Sequence, residues 1–206
     1  TSPSMVRIPS NVLTGPRKVH EYTSDISLLA HVDDSLFRPL HCSPPRKKGH
    51  DMVQDGDKAP DFGLATDGGE KLKLSRLKGK PVVLYFYPKD DTEGCTKEAK
   101  DFSCLVPDFR KAGIEVIGVS PDSVESHQKF RKKHGLEVRL AADPDKAAAP
   151  AYGVWVEKSM YGRKFMGVER STFLIDKAGR IAKSWRKVRV PGHAEAVLAA
   201  ARDLAK

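Results

Sequence analysis

The run Pro81–Pro88, PVVLYFYP, limits what this chain can become more than any other stretch. An unbroken apolar run of this kind reads as a strand covered on both faces. A strand of that sort needs neighbours on its edges and a packed layer above and below it. Pro88 ends it, because proline brings no backbone N–H to a ladder.

Around that strand the patterning alternates from Asp55 onward. A helical stretch follows Gly94 and runs toward Gly113, and IEVIGVSPD, starting at Ile114, reads as a second buried strand. VESHQKFRKKHG reads as a helix with a Ser123 cap and a Gly135 stop. There follow a strand VRLAAD, a short helix before YGVW, a strand STFLID, a KAGR turn and a strand opening IAKSW. GHAEAVLAAARDLAK closes the chain as an amphipathic helix. This alternation implies an α/β sandwich, a central mixed sheet flanked by helices on both faces. FLID-KAGR-IAKSW is a hairpin and supplies an antiparallel edge.

Residues 1–52 differ from the rest. They lack sustained period-2 or period-3.6 patterning, carry scattered prolines and finish near SPPRKKGHD. DISLLAHVDDSLF allows a helical turn or two, with Ile26, Leu29 and Val32 roughly on one face. The region reads as a flexible or weakly docked extension ahead of a domain spanning 53–206. Met52 stands just before the patterned part, compatible with a leader or an alternative start. His20, His31, His41, Cys42 and His50 fall in the extension at spacings that match no compact zinc pattern.

The chain has 206 residues and a formal charge of +9. Its basic runs, KFRKKH from Lys129 and KSWRKVR from Lys183, read as a solvated helix face and an exposed strand edge. No zinc finger, aromatic RNA-binding signature or heptad-linked basic region accompanies them, so nucleic acid is not an expected partner. A basic nucleic-acid-binding module is the alternative that steep salt dependence would mark. No apolar run reaches transmembrane length, and the N-terminal stretch lacks the apolar core of a secretory signal. The expected location is the cytoplasm.

Three cysteines, Cys42, Cys95 and Cys104, form no CxxC pair. That argues against a disulfide framework, dithiol exchange and the common structural zinc sites. One reactive thiol is the economical reading, and Cys95 is the best placed. It follows a strand and sits at the first turn of a helix, where unpaired N–H groups and the positive dipole end favour an anion. A free cysteine titrates near ~8.5 and is a good nucleophile at neutral pH only when its thiolate is stabilised. Thr92 can offer a hydroxyl to the sulfur or to a small polar ligand, and Pro88 walls one side of a small pocket. The placement suits a thiolate receiving a small oxygen-containing substrate; a buried inert thiol is its other reading.

Pro88-Lys-Asp-Asp-Thr92-Glu-Gly-Cys95 matches the PxxxTxxC signature of peroxiredoxins. GDKAPDF precedes it, and VIGVSPDS, YGVW and ERSTFLID follow in order. From about Gly56 to Leu204 the chain resembles the bacterioferritin-comigratory-protein branch, also called PrxQ. The resemblance implies a thioredoxin-like fold and a monomeric thiol-dependent peroxidase without metal, haem or flavin. By it, Cys95 is the peroxidatic cysteine, attacking the O–O bond of hydrogen peroxide or an alkyl hydroperoxide to give a sulfenic acid. Thr92 would hydrogen-bond peroxide and sulfur, and Pro88 would shield the pocket. Arg170 would stabilise the thiolate and polarise the peroxide, with Glu98 orienting it.

Many members of that branch carry a second cysteine five residues after the first; here Lys100 stands in its place. Cys104 lies nine residues beyond Cys95. On an unbroken helix that is about 900° of rotation and ~13.5 Å of rise. A disulfide needs Cα atoms roughly 4.4–6.8 Å apart. Flanked by Phe102, Leu105 and Val106, Cys104 reads as a small core filler. Cys42 would have to reach in from the extension. A one-cysteine enzyme is therefore expected, its sulfenic acid reduced by thioredoxin, by glutaredoxin with glutathione, or by another small thiol. A redox sensor or relay that passes oxidation to a partner protein is the rival reading.

Overall fold

The computed structural model describes residues 52–160 and 162–205. The extension's amphipathic piece, its histidines and Cys42 lie outside the described residues. A hairpin of β1 (Gly63–Thr66) and β2 (Lys71–Lys73) and a 3-10 turn at Leu74–Leu77 lead into β3 (Val82–Phe86). Then come α1 (Glu93–Lys111), β4 (Glu115–Ser120), α2 (Val124–His134) and β5 (Arg139–Ala142). A second hairpin, β6 (Trp155–Met160) and β7 (Arg163–Val168), precedes β8 (Ser171–Ile175), β9 (Ile181–Trp185) and α3 (His193–Ala205).

Seven strands form one sheet in the order β2-β1-β5-β4-β3-β8-β9, and β6 and β7 pair by themselves. β3 runs parallel to β4 and antiparallel to β8, and β4 runs parallel to β5. The sheet is mixed, and the Pro81–Pro88 run supplies an interior strand whose residues are all buried. The β8–β9 pair is the antiparallel hairpin that its sequence implies.

Alternate residues of β3 feed two cores. Val82, Leu84 and Phe86 join Phe62, Leu64, Tyr152 and Phe173. Val83, Tyr85 and Tyr87 join Phe102 and Phe109 of α1, Phe130 of α2 and Val197 of α3. Tyr85 stacks on Phe102 with ring centroids 4.7 Å apart. Truncating Phe102 to alanine is worth about 3–5 kcal/mol of stability. Gly118 is needed opposite, since a Cβ there would meet the Tyr85 ring at 2.5 Å.

The α/β class and mixed sheet match the strand–helix alternation, with one correction: all three helices bury their apolar residues in the same core. The opposite face is covered by loops and turns, because the stretch expected as a short helix before Tyr152 does not become one. The Asp143 carboxylate accepts the N–H groups of Ala147, Ala148 and Ala149, as a helix cap would. Pro150 then withholds a donor, and Gly153 turns to φ 63°, so no helix propagates. α2 keeps both its signals: Ser123 Oγ accepts the Ser126 N–H, and Gly135 ends it in the left-handed conformation. Among the described residues, no helix is long and apolar enough to cross a membrane.

Candidate active site

β3 carries the chain out of the sheet into the loop 87–92, and α1 starts at Glu93, so Cys95 lies in its first turn. Cys95 belongs to the core on the helical face, packed with Tyr85, Tyr87 and Phe102, and is 2 % exposed. Backbone N–H groups of the first turn lack intrahelical partners and give that end of α1 a positive potential. Thr92 is the N-cap by position, and its carbonyl accepts the Thr96 N–H at 2.8 Å. Its exposed hydroxyl donates to the Lys89 carbonyl at 3.2 Å rather than to the sulfur. Pro88 is half-buried at the start of the same loop.

Arg170 comes from the other side, immediately before β8. Its Nη2 donates to Cys95 Sγ at 3.1 Å, and its Nη1 donates to Glu98 Oε2. The guanidinium lies over the first turn of α1: a Cβ at Gly94 would sit 3.5 Å from Nη2, an ordinary contact. The backbone around it is fixed, with Glu169 N–H donating to Val154 and Arg170 O accepting from Val188. Glu98 is 1 % exposed, one turn beyond Cys95. Burial pushes its carboxyl up to about 7, and the Arg170 charge opposes that push. Burial works against the Arg170 cation, but the Glu98 and Cys95 charges outweigh it and hold its pKa above the usual arginine value. Oε1 of Glu98 is buried with no partner among the described residues, so the carboxylate's orientation is set by Arg170 alone.

The structure therefore brings Cys95, Arg170 and Glu98 into direct contact, with Pro88 and Thr92 on the adjoining loop. It does not bring Cys104 there. Cys104 is exposed, which corrects the expectation of a core filler: α1 is continuous, and its rotation buries Phe102, Ser103 and Val106 instead. Lys100 is exposed too, beside Asp91, Thr96 and His134 in a shallow concavity. A concavity of about 490 Å³ lined by Asp67, Arg110, Arg131 and Arg139 lies away from Cys95.

Two supporting residues escape the sequence reading. Arg186, within the basic run read as an exposed edge, is half-buried. It donates to the carbonyls of Tyr152 at 2.9 Å and Gly153 at 3.1 Å, and lies 5.0 Å over the Phe173 ring. It also stands 4.0 Å from Glu169, next to Arg170. Lys158, on the β6–β7 hairpin, donates to the Val168 carbonyl at 2.6 Å. A charged residue just past a strand, as Arg186 is, or on a hairpin, as Lys158 is, gives no local signal for such a role.

A thioredoxin-like sandwich with a thiol at a helix N-terminus and an arginine on its sulfur defines a thiol-based redox enzyme. Residues 56–184 match the model of the AhpC/TSA family, and the chain belongs to that family. Its relatives are peroxiredoxins, which are thiol peroxidases. The putative peroxiredoxin bcp of Coxiella burnetii is 51% identical over 146 residues, 71% of this chain and 97% of that one. Peroxiredoxin Bcp of Bacillus subtilis is 49% identical over 154 residues, 75% of this chain and 98% of that one. Among solved structures, peroxiredoxin Q of Xanthomonas campestris aligns with a TM-score of 0.68 and 48% identity, covering 70% of this chain and 92% of that one. A PrxQ variant of Xylella fastidiosa aligns with a TM-score of 0.72 and 40% identity, covering 76% and 99%. The chain is a thiol peroxidase of the peroxiredoxin kind.

Proposed function

We propose that the chain reduces hydrogen peroxide and organic hydroperoxides at Cys95, by a one-cysteine mechanism with an external thiol as reductant. The observation that carries this reading is Arg170 Nη2 at 3.1 Å from Cys95 Sγ, with the same guanidinium bonded to buried Glu98. The Cys95 thiolate attacks one peroxide oxygen; an S–O bond forms and the O–O bond breaks. The leaving oxygen takes a proton and departs as water or an alcohol, and Cys95 becomes a sulfenic acid. Charge moves from sulfur onto oxygen during this step, so a fixed cation beside both atoms lowers its barrier. Glu98 holds that cation in place, Pro88 bounds the pocket, and Thr92 caps the helix turn that carries the sulfur. The bacterioferritin comigratory protein of Xanthomonas campestris has been described with alkyl peroxide reduction activity, which supports the wider peroxide range.

Support for the one-cysteine route comes from Lys100 and from Cys104, which faces solvent on an unbroken helix. Thioredoxin, glutaredoxin with glutathione, or another small thiol would then reduce the sulfenic acid. A monomer acting in the cytoplasm, with residues 53–206 as the catalytic domain and 1–52 as an extension, completes the reading. The test is steady-state peroxide turnover by the double variant Cys42→Ser/Cys104→Ser, with dithiothreitol or a thioredoxin system as reductant. Turnover equal to that of the unaltered chain is expected. An intact first turnover followed by arrest would mean that one of those cysteines resolves the sulfenic acid.

A further inference from the structure

The loop that carries Pro88 and Thr92 is gripped from the side by α2. Asp90, in its middle, is 6 % exposed, and its carboxylate accepts from three donors. Tyr87 Oη, Ser126 Oγ and His127 Nδ1 each lie 2.8 Å away. The Asp90 N–H in turn donates to Asp122 Oδ2 at 2.8 Å. His127 is fully buried, and donation from Nδ1 fixes its tautomer toward the loop. Asp91 follows at φ 56°, in the left-handed region, with its carboxylate on Lys133 Nζ at 2.5 Å and His134 Nε2 at 2.6 Å. Residues 126, 127, 133 and 134 recur on one face of α2, seven apart, so one helix face holds two consecutive loop residues. A buried carboxylate is costly to strand, and the loop rests where its donors are.

We propose that Asp90 and His127 are positioning residues of the peroxidase: their clamp holds the Pro88–Thr92 loop in the arrangement that receives peroxide, and its release opens Cys95 to the reductant. The inference rests on Cys95 as the reacting thiol. The two half-reactions make opposite demands on the loop. Peroxide is small enough to reach a cysteine that is 2 % exposed. A reducing thiolate must instead attack the sulfenic sulfur opposite its oxygen. An S–S bond forms, the S–O bond breaks and the oxygen leaves as water. A second thiolate then attacks the mixed disulfide, releasing the Cys95 thiolate and an oxidised thiol pair. A looser clamp should slow the first half-reaction and speed the second, whereas a merely structural contact would not split them.

Tyr87→Phe and Ser126→Ala each remove one donor from Asp90 without emptying the core. His127→Asn keeps a donor near the place of Nδ1, and His127→Leu does not. Two rates are read on the full chain by stopped flow: oxidation of the reduced protein by hydrogen peroxide, and reduction of its sulfenic acid by dithiothreitol. Tyr87→Phe and Ser126→Ala are expected to slow oxidation and speed reduction, each by roughly three- to tenfold. His127→Leu should move both rates further in the same directions, and His127→Asn should return them toward the unaltered values. If His127→Leu fails to fold, the other variants carry the test. Unchanged rates in folded Tyr87→Phe and Ser126→Ala, or both rates lowered together, would overturn the proposal. A chain with no oxidation phase, or a Cys95→Ser variant that keeps one, would overturn the role of Cys95 instead.

Discussion

Cys95 and Cys104 share α1, yet one is 2 % exposed with a guanidinium 3.1 Å from its sulfur, and the other faces solvent. Helix geometry accounts for the contrast. The first turn of α1 lies against the sheet and offers free N–H groups, while the position of Cys104 has its N–H consumed within the helix and points outward. Arg170 reaches Cys95 and Glu98, in the first two turns, and not Cys104, because the backbone on both sides of it is tied to Val154 and Val188. Two chemically identical thiols thus differ in everything that makes a thiol reactive: the partner charge, the helix end and the pocket.

The strongest way to break the comparison is to exchange serine for each sulfur. Cys95→Ser should abolish peroxide consumption, and Cys104→Ser should leave the first turnover intact, as read by peroxide loss in a single-turnover assay. Loss of that turnover in a folded Cys104→Ser would make the two sites equivalent. Next in size is the guanidinium. Arg170→Gln should slow oxidation of Cys95 by roughly 10²–10³-fold, the usual effect of deleting one preorganised donor. A change below about threefold would remove Arg170 from the chemistry.

Glu98 sharpens the contrast through pH. Burial raises its carboxyl from 4.5 to about 7 in the folded protein. The folded state thus holds a proton that the unfolded chain releases earlier. The stability this contributes is complete below about pH 4.5 and is lost as pH rises through about 7. Relative to Glu98→Gln, the unaltered chain should lose roughly 2–3 kcal/mol across that window, measured by urea unfolding at several pH values. A flat or rising difference would contradict the burial argument. The smallest effect belongs to Cys104→Ser, whose stability should stay within about 0.5 kcal/mol of the unaltered chain. A larger loss would mean that Cys104 packs in the core after all.

What is legible in the sequence follows from how local its signal is. The Val82–Phe86 strand announces itself by an apolar run, and α2 by Ser123 and Gly135, both of which act where they stand. Cys95, Thr92, Pro88, Arg170 and Glu98 are legible as a motif, although the Thr92 hydroxyl rests on Lys89 and not on the sulfur. The hairpin β1–β2 is too short, and β7 too exposed, to show an apolar run. Cys104 misleads because its neighbours are apolar, and a single step of about 100° around the helix separates a core position from solvent. The layer opposite the helices escapes because Asp143 and Pro150 give contradictory instructions, one starting a helix and the other stopping it. The Asp90–His127 contact spans 37 positions, a distance over which spacing carries no signal.

The most direct test of the account is intact mass spectrometry of the reduced chain after one equivalent of hydrogen peroxide, with and without a sulfenic-acid trap. The account predicts a trap adduct on Cys95 and no internal disulfide. A loss of two hydrogens mapping to Cys95 with Cys104 or Cys42 would contradict the one-cysteine mechanism, and an unmodified Cys95 in a folded chain would contradict its role altogether.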